Sequence, residues 1–233
     1  MRIGIISDVH ANLPALEVVL KKLDELKADA LYCLGDTVGY GPFPNECLAL
    51  VRDRCSVVLK GNHDSGLIGE SPLTEFNQYG AQAILWSQKV VESDHVTFLK
   101  SLQYTQTLDQ ITLAHASPAH PEEWTYVLTV RAARDAFKAF STNLCFIGHT
   151  HVPVVIGEDT TINIYEPGKR FVINVGSVGQ PRDGNANASF GFYDSASDAY
   201  ELVRVPYDIQ RTARAIEDAG LPKFLAMRLF QGI

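Results

Sequence analysis

The residue types best suited to chemistry in this chain sit at the ends of short apolar runs. Asp8 and His10 follow the run 3–6, Asp36 follows 30–34, and Asn62 and His63 follow 56–59. His115 closes the run 111–114, and His149 and His151 follow 144–147. Five of the chain's seven histidines lie in these segments, a placement that generic surface or core histidines would not show. Carboxylate, carboxamide oxygen and imidazole together form a donor set for divalent transition metals. In an extended chain the two-residue spacing of Asp8 and His10 puts both side chains on one side.

The elements that must position these groups follow from periodicity. Residues 3–6 read as a buried strand. Asn12 is a helix cap and Pro14 suits the first turn, after which Leu13, Leu16, Val19, Leu20, Leu23 and Leu26 recur at helical spacing. A second strand at 30–34 completes a strand–helix–strand unit, so a parallel sheet is expected, with ligands at the carboxyl ends of its strands. The pattern predicts a short helix over 44–50, a strand over 56–59, and helices over 72–91 and 93–102. It then predicts a hairpin of 104–107 and 111–114, a loop over 117–126, a helix over 129–140 and a strand over 144–147. Beyond Val152 the helical period stops. The runs 152–156, 161–165, 170–175, 188–193 and 200–205 suit strands and predict a second sheet, followed by a helical tail at about 208–230.

The 233 residues, 46% hydrophobic and 20% charged, fit one α/β domain over 1–233 with an ample core. A net charge of −7 without a long Lys or Arg run argues against a broad nucleic-acid surface and leaves room for a local phosphate site. Cys33, Cys47, Cys55 and Cys145 lack a C-x-x-C spacing, and Cys33 and Cys145 read as buried free thiols. With no apolar leader and no run long enough to span a bilayer, a reduced, cytoplasmic protein is expected.

The ordered set Asp8-x-His10, Gly35-Asp36, Gly61-Asn62-His63-Asp64, His115 and Gly148-His149-Thr150-His151 resembles the motif series of the calcineurin-like metallophosphoesterases. Ala114 stands where many members have Gly. The wording from Gly35 through Pro42 and from Gly176 through Asp183 is similar to the compact bacterial and archaeal phosphodiesterase-like branch. The resemblance implies a four-layer α-β-β-α sandwich with two mixed β-sheets. It implies that Asp8, His10 and His151 hold one metal, that Asn62, His115 and His149 hold another, and that Asp36 bridges them. Mn²⁺ is the first expectation; Ni²⁺, Fe²⁺/Fe³⁺ and Zn²⁺ fit the same donors, which suit these metals better than Ca²⁺. Two such cations about 3.5–4 Å apart clamp opposite phosphoryl oxygens and generate a shared hydroxide that attacks phosphorus. The resemblance makes His63 the group that assists the leaving oxygen and Asp64 the holder of its ring. The residues alone say only that Asn62, His63 and Asp64 offer an oxygen ligand, an acid and an orienter.

Several further residues carry two readings. Asn12 either caps its helix or touches phosphate. Arg182, in a Gly- and Pro-rich loop, either grips a distal phosphate or makes a structural salt bridge. Asn174 ties down its loop. Tyr40 and Gly41 shape the pocket or a turn, Trp124 and Tyr126 wall the site or pack, His120 is a candidate to approach substrate, and His95 reads as surface. The leading function is phosphodiester hydrolysis of a small phosphoester or nucleotide. The alternatives are a phosphomonoesterase, a nucleotide pyrophosphohydrolase that includes dinucleoside polyphosphates, and a non-catalytic metal-binding scaffold. The middle helices and the aromatic loop offer surface for a homo-oligomer.

Overall fold

β1 (Arg2–Ile6) is buried on both faces, so it must be covered twice. Its period of two sends Ile3 and Ile5 to one side and Ile6 to the other. The computed structural model describes residues 1–233. After β1 come α1 (Leu13–Glu25), β2 (Ala30–Cys33), α2 (Pro44–Arg54), β3 (Val57–Val58), α3 (Asn62–Leu67), α4 (Gln78–Val90) and α5 (Ser93–Ser101). Next are β4 (Thr105–Leu108), β5 (Ile111–Ala114), α6 (Val130–Phe137), β6 (Leu144–Ile147), β7 (Val154–Gly157) and β8 (Phe171–Asn174). The hairpin β9 (Ala188–Asp194) and β10 (Ala199–Val205) leads into α7 (Ile209–Asp218) and α8 (Lys223–Gln231).

Two five-stranded mixed sheets result, in the orders β10-β9-β1-β2-β3 and β4-β5-β6-β8-β7. β1 pairs in parallel with β2, from Ile3 opposite Ala30 to Ile6 opposite Cys33, and antiparallel with β9. The sheets face each other through Ile3, Ile5, Leu34 and Leu59 on one side and Leu113, Phe146, Phe171 and Ile173 on the other. Burying each such side chain contributes about 1.5–3 kcal/mol. α1 covers the outer face of the first sheet with Leu16, Val19, Leu20 and Leu23. α6 covers the second with Ala133, Ala136 and Phe137. The expected four-layer α-β-β-α sandwich is present. α7 and α8 pack beside it, with Leu225 and Leu229 in the same cluster as Tyr40.

Several expectations need correction. The strands beyond Val152 do not make the second sheet by themselves. β9 and β10 return to the first sheet because β1 needs a partner on its free edge, and the second sheet already begins at β4. Residues 161–165 form no strand; a single bridge joins Ile162 to Ile156, and Asn163 has φ 58°. The helix expected over 72–91 is broken. A 3-10 turn at Leu73–Glu75 precedes a fresh start at Asn77, whose side chain accepts from Tyr79 N (3.0 Å) and Gly80 N (2.9 Å). α2 runs on to Arg54, and α3 was not expected. His95 is buried in α5 rather than on the surface.

Candidate metal centre

The carboxyl ends of β1, β2 and β3 from one sheet and of β5 and β6 from the other converge on one spot. The backbone there is not extended. Asp8 (φ 54°), His10 (49°), Asp36 (53°), His149 (64°) and His151 (60°) all adopt left-handed conformations. The two-residue spacing of Asp8 and His10 therefore works through a turn and not through strand alternation. Such backbone costs about 1–3 kcal/mol per residue and gathers at functional sites. Here it is held by ties between loops: Asp8 N to Gly35 O (3.0 Å), His10 N to Asp36 O (2.9 Å) and Gly179 N to Asp8 O (2.9 Å). Asn174 adds the expected tether, donating to Gly148 O (2.6 Å) and Thr150 Oγ1 (2.9 Å) and accepting from Gly176 N (2.9 Å).

The histidine tautomers follow from their partners, because a carbonyl can only accept. Nδ1 donates to Val38 O in His10 (3.0 Å), to Gln180 O in His151 (2.5 Å) and to Leu34 O in His115 (3.1 Å). Each neutral ring then carries its lone pair on Nε2. Those lone pairs face one another and face oxygen acceptors. His10 Nε2 is 3.1 Å from His151 Nε2, and His151 Nε2 is 3.2 Å from Asp8 Oδ1. His115 Nε2 is 3.3 Å from Asn62 Oδ1 and 3.4 Å from Asp36 Oδ2. Asp8 Oδ1 and His149 Nε2 are buried with no hydrogen-bond partner at all.

Acceptors packed at these distances, away from water, repel unless a cation lies among them. The residues therefore fit divalent metals. Asp8, His10 and His151 place one donor atom each within 4.8 Å of one another, and Asp36, His115 and His149 do the same. Asn62 joins the second group through His115. Asp36 reaches toward both groups, with Oδ2 3.7 Å from His10 Nε2 and 3.4 Å from His115 Nε2.

Electrostatics agree. Burial pushes His10 well down, and burial, with Arg182 nearby, lowers His151. Burial and His115 take His149 to about 3. Burial alone would raise Asp36, but His115 and His63 hold it well below the usual carboxylate range. Burial likewise opposes the charge on His115, yet Asp36 and Asp8 push it up to about 9. Ionised carboxylates around neutral imidazoles are the form that binds metal; His10, His149 and His151 are held in it, while His115 between Asp36 and Asp8 attracts a proton that a bound cation would displace.

His63 lies beside the metal groups and forms a third cluster with His10 and Asp36. Its ring is wedged by Tyr40 (4.5 Å between centroids), His10 (4.8 Å) and Phe76 (5.1 Å). Burial, against the pull of Asp36 and with Arg182 adding to it, drives its pKa to about 4. Asp64 makes no hydrogen bond to this ring, and His63 Nδ1 is buried without a partner. The Asp64 carboxylate instead accepts from the backbone N–H groups of Asp36 (2.8 Å), Gly61 (3.0 Å), Thr37 (3.1 Å) and Val38 (3.3 Å). It organises the loop that carries Asp36, and the expectation that it orients His63 directly is corrected accordingly.

The metal groups open on a cleft of ≈ 60 Å³ lined by Asp36, Asn62, His63, His149 and His151, with Tyr40, Glu75, Phe76, Asn77, Tyr126 and Arg182 at its walls. A roomier groove near Thr105, Thr112 and Lys138 carries no ligand cluster. Tyr126 stacks on His149 (4.1 Å), and Trp124 lies edge-on to His115 (5.9 Å). Arg182 reaches the cleft and makes no salt bridge; its Nη2 donates to Gln180 Oε1 (2.8 Å). Asn12 is spent on the protein. Its Oδ1 accepts from Ala15 N (3.3 Å) and Thr212 Oγ1 (2.8 Å), and its Nδ2 donates to Gly179 O (2.8 Å). That is the capping reading, with both Oδ1 acceptor sites and one Nδ2 hydrogen engaged within the protein. His120 is exposed and outside the cleft. Phe76 and Asn77 were missed; the Asn77 cap inside an apparently continuous helix was the readable signal.

Fold and site together define a two-sheet α/β protein with a binuclear metal-binding centre. The sequence profile described as the calcineurin-like phosphoesterase superfamily domain matches residues 1–198. The chain is 40% identical over 240 residues to the uncharacterized protein MJ0912 of Methanocaldococcus jannaschii, covering 99% of this chain and 98% of that one. It is 27% identical over 206 residues to Phosphodiesterase YfcE of Escherichia coli K12, covering 84% of this chain and 88% of YfcE. The crystal structure of a metallophosphoesterase from Sphaerobacter thermophilus is similar, with a TM-score of 0.89 at 41% identity over 100% of this chain and 99% of that one. The chain belongs to the calcineurin-like phosphoesterase superfamily, among its compact bacterial and archaeal members. No helix is long and apolar enough to cross a membrane.

Proposed function

We propose that this chain is a binuclear metal-dependent phosphoesterase that hydrolyses phosphodiester linkages in a small phosphoester or nucleotide. The observation that carries this reading is the set of buried acceptors turned on one another, His10 Nε2 to His151 Nε2 at 3.1 Å above all. Asp8, His10 and His151 would hold one cation and Asn62, His115 and His149 the other, with Asp36 between them. When bound, the metals supply Lewis acidity to a phosphoryl group and activate water at neutral pH. Mn²⁺ is our first choice of metal. The name and 27% identity of YfcE support diesters over monoesters.

The chain's own residues do the rest. Backbone carbonyls aim three of the four ligand imidazoles. With its pKa near 4, His63 is neutral at pH 7. It therefore acts as an N–H donor to the phosphoryl or leaving oxygen, and protonates that oxygen only as negative charge builds on it. Arg182 offers a guanidinium to substrate oxygens beyond the reacting phosphorus.

The test is turnover of bis-p-nitrophenyl phosphate against p-nitrophenyl phosphate, with Mn²⁺, Ni²⁺, Zn²⁺ and Mg²⁺ supplied separately to chelator-treated protein. Metal-dependent turnover favouring the diester is expected. Two bound metals with no turnover of any phosphoester would replace the enzyme with a metal-binding scaffold.

A further inference from the structure

Three of the four ligand imidazoles are aimed by a backbone carbonyl at Nδ1: His10 by Val38, His115 by Leu34 and His151 by Gln180. His149 has no such tie. Its backbone N–H is fixed, donating to Asp8 Oδ2 (2.9 Å), but its Nε2 is buried without a hydrogen-bond partner. Rotation of an imidazole about its Cβ–Cγ bond is soft and broad, so another contact must set the plane of this ring. Tyr126 supplies it: the two rings stack at 4.1 Å between centroids, with 22° between their planes. His115 meets the same imidazole edge-on, at 5.1 Å and 63°.

The loop between β5 and α6 is pinned around this tyrosine. Ser117 N donates to Thr125 O (3.3 Å), Trp124 Nε1 donates to Ser71 Oγ (3.2 Å), and Val127 is buried in the same cluster as Ala133 and Phe137 of α6. His120 (φ 50°) and Trp124 (φ 54°) hold left-handed backbone. Such conformations persist only where the surroundings over-determine them, and they gather at ligand clamps. Trp124 lies edge-on to His115, at 5.9 Å. Both aromatic side chains of the loop therefore bear on histidines of the second metal group. Tyr126 is itself 49% exposed, so burial of its own surface does not explain where it sits.

We propose that Tyr126 is the positioning residue for His149: its ring face stands in for the missing carbonyl, fixes the imidazole plane, and so sets the affinity of the metal held by Asn62, His115 and His149 without changing that of the other. This rests on the binuclear centre of the proposed function and on no particular substrate. A hydrogen bond would fix both plane and tautomer, whereas a stacked ring fixes the plane alone. The strength of the second site is thereby set by a side chain on a loop that carries no metal ligand.

Calorimetric titration of chelator-treated protein with Mn²⁺, with metal counted per chain, tests this without any turnover. Two binding events are expected in the unsubstituted protein. Tyr126→Ala should weaken one of them by about tenfold, where the worth of one aromatic pair meets the loss for a group that orients a metal ligand, and leave the other unchanged. Tyr126→Phe keeps the ring face and should restore the affinity. In a His149→Ala background the imidazole to be positioned is gone, so Tyr126→Ala should weaken metal binding no further. The thermal midpoint of the metal-free protein should be the same with and without Tyr126→Ala, since the ring is half exposed. Four results would each overturn the proposal: no change in either event, equal weakening of both, a Tyr126→Phe variant as weak as Tyr126→Ala, or the same loss with His149 absent. Fewer than two metals in the unsubstituted protein would overturn the binuclear centre, and the proposal with it, so the two failures are distinct.

Discussion

Gly39 is the most direct handle on His63 that leaves the metal ligands untouched. It has φ +91°, where an L side chain is strained, and an added Cβ would fall on His63 Nδ1 and 2.9 Å from Cγ. The ring cannot retreat, because Tyr40, His10 and Phe76 wedge it. Gly39→Ala should cost about 1–3 kcal/mol in backbone strain and about 1–3 kcal/mol in overlap. If the ring yields, His63 leaves its position, and turnover falls toward the loss for His63→Ala, about 10²–10⁴-fold for a general acid. The assay is kcat on bis-p-nitrophenyl phosphate with Mn²⁺, alongside metal content, which should stay at two per chain in both variants. The decisive comparison is the double variant. With the imidazole gone the overlap disappears, so Gly39→Ala should change kcat little in a His63→Ala background, a coupling of about 1–3 kcal/mol. Equal fractional losses in both backgrounds, or loss of metal in step with activity, would refute the reasoning.

Other expectations follow from single side chains. Asn174→Ala strands Gly176 N–H in the core and loosens the turn carrying His149 and His151; a loss of about 1–3 kcal/mol by denaturant unfolding and weaker metal binding by titration are expected. Asp64→Ala leaves four backbone N–H groups without their acceptor, so stability should drop by about 3 kcal/mol or more, and metal affinity should fall through Asp36 rather than through any change at His63. Asp198 accepts from Tyr165 (2.5 Å), Tyr193 (2.9 Å) and Gly168 N (2.7 Å). Burial opposes its charge, but these bonds hold its pKa below 3.8. Its contribution, about 1 kcal/mol after allowing for partial exposure, is therefore full above the unfolded value and lost as pH falls through the folded one. Asp198→Asn should lower stability at pH 7 and flatten that acid limb in pH-dependent thermal melts.

Local features proved legible where one element decided them. The period of α1, its Asn12 cap and Pro14 placed that helix correctly. Less legible were features in which a distant segment competes. Residues 161–165 have strand composition and lie along the free edge of β7, but left-handed backbone at Thr160 and Asn163 limits the pairing to one bridge. The run over 72–91 has helical composition throughout, yet Asn77 restarts it. His95 lies on a helix face that the sequence reading left to solvent and the packing buries.

The candidate site divides in the same way. The sequence by itself determined the donors: carboxylate, carboxamide and imidazole at the ends of successive apolar runs, a pattern that side-chain chemistry makes readable without coordinates. Tertiary structure decided how each donor is used. Only the meeting of two sheets sets His10 against His151 and His115 against Asp36. Only the carbonyls of Val38, Leu34 and Gln180 choose the tautomers. Asn12 went to capping and Asp64 to backbone, although their spacing allowed other roles, because nearer partners took their oxygens.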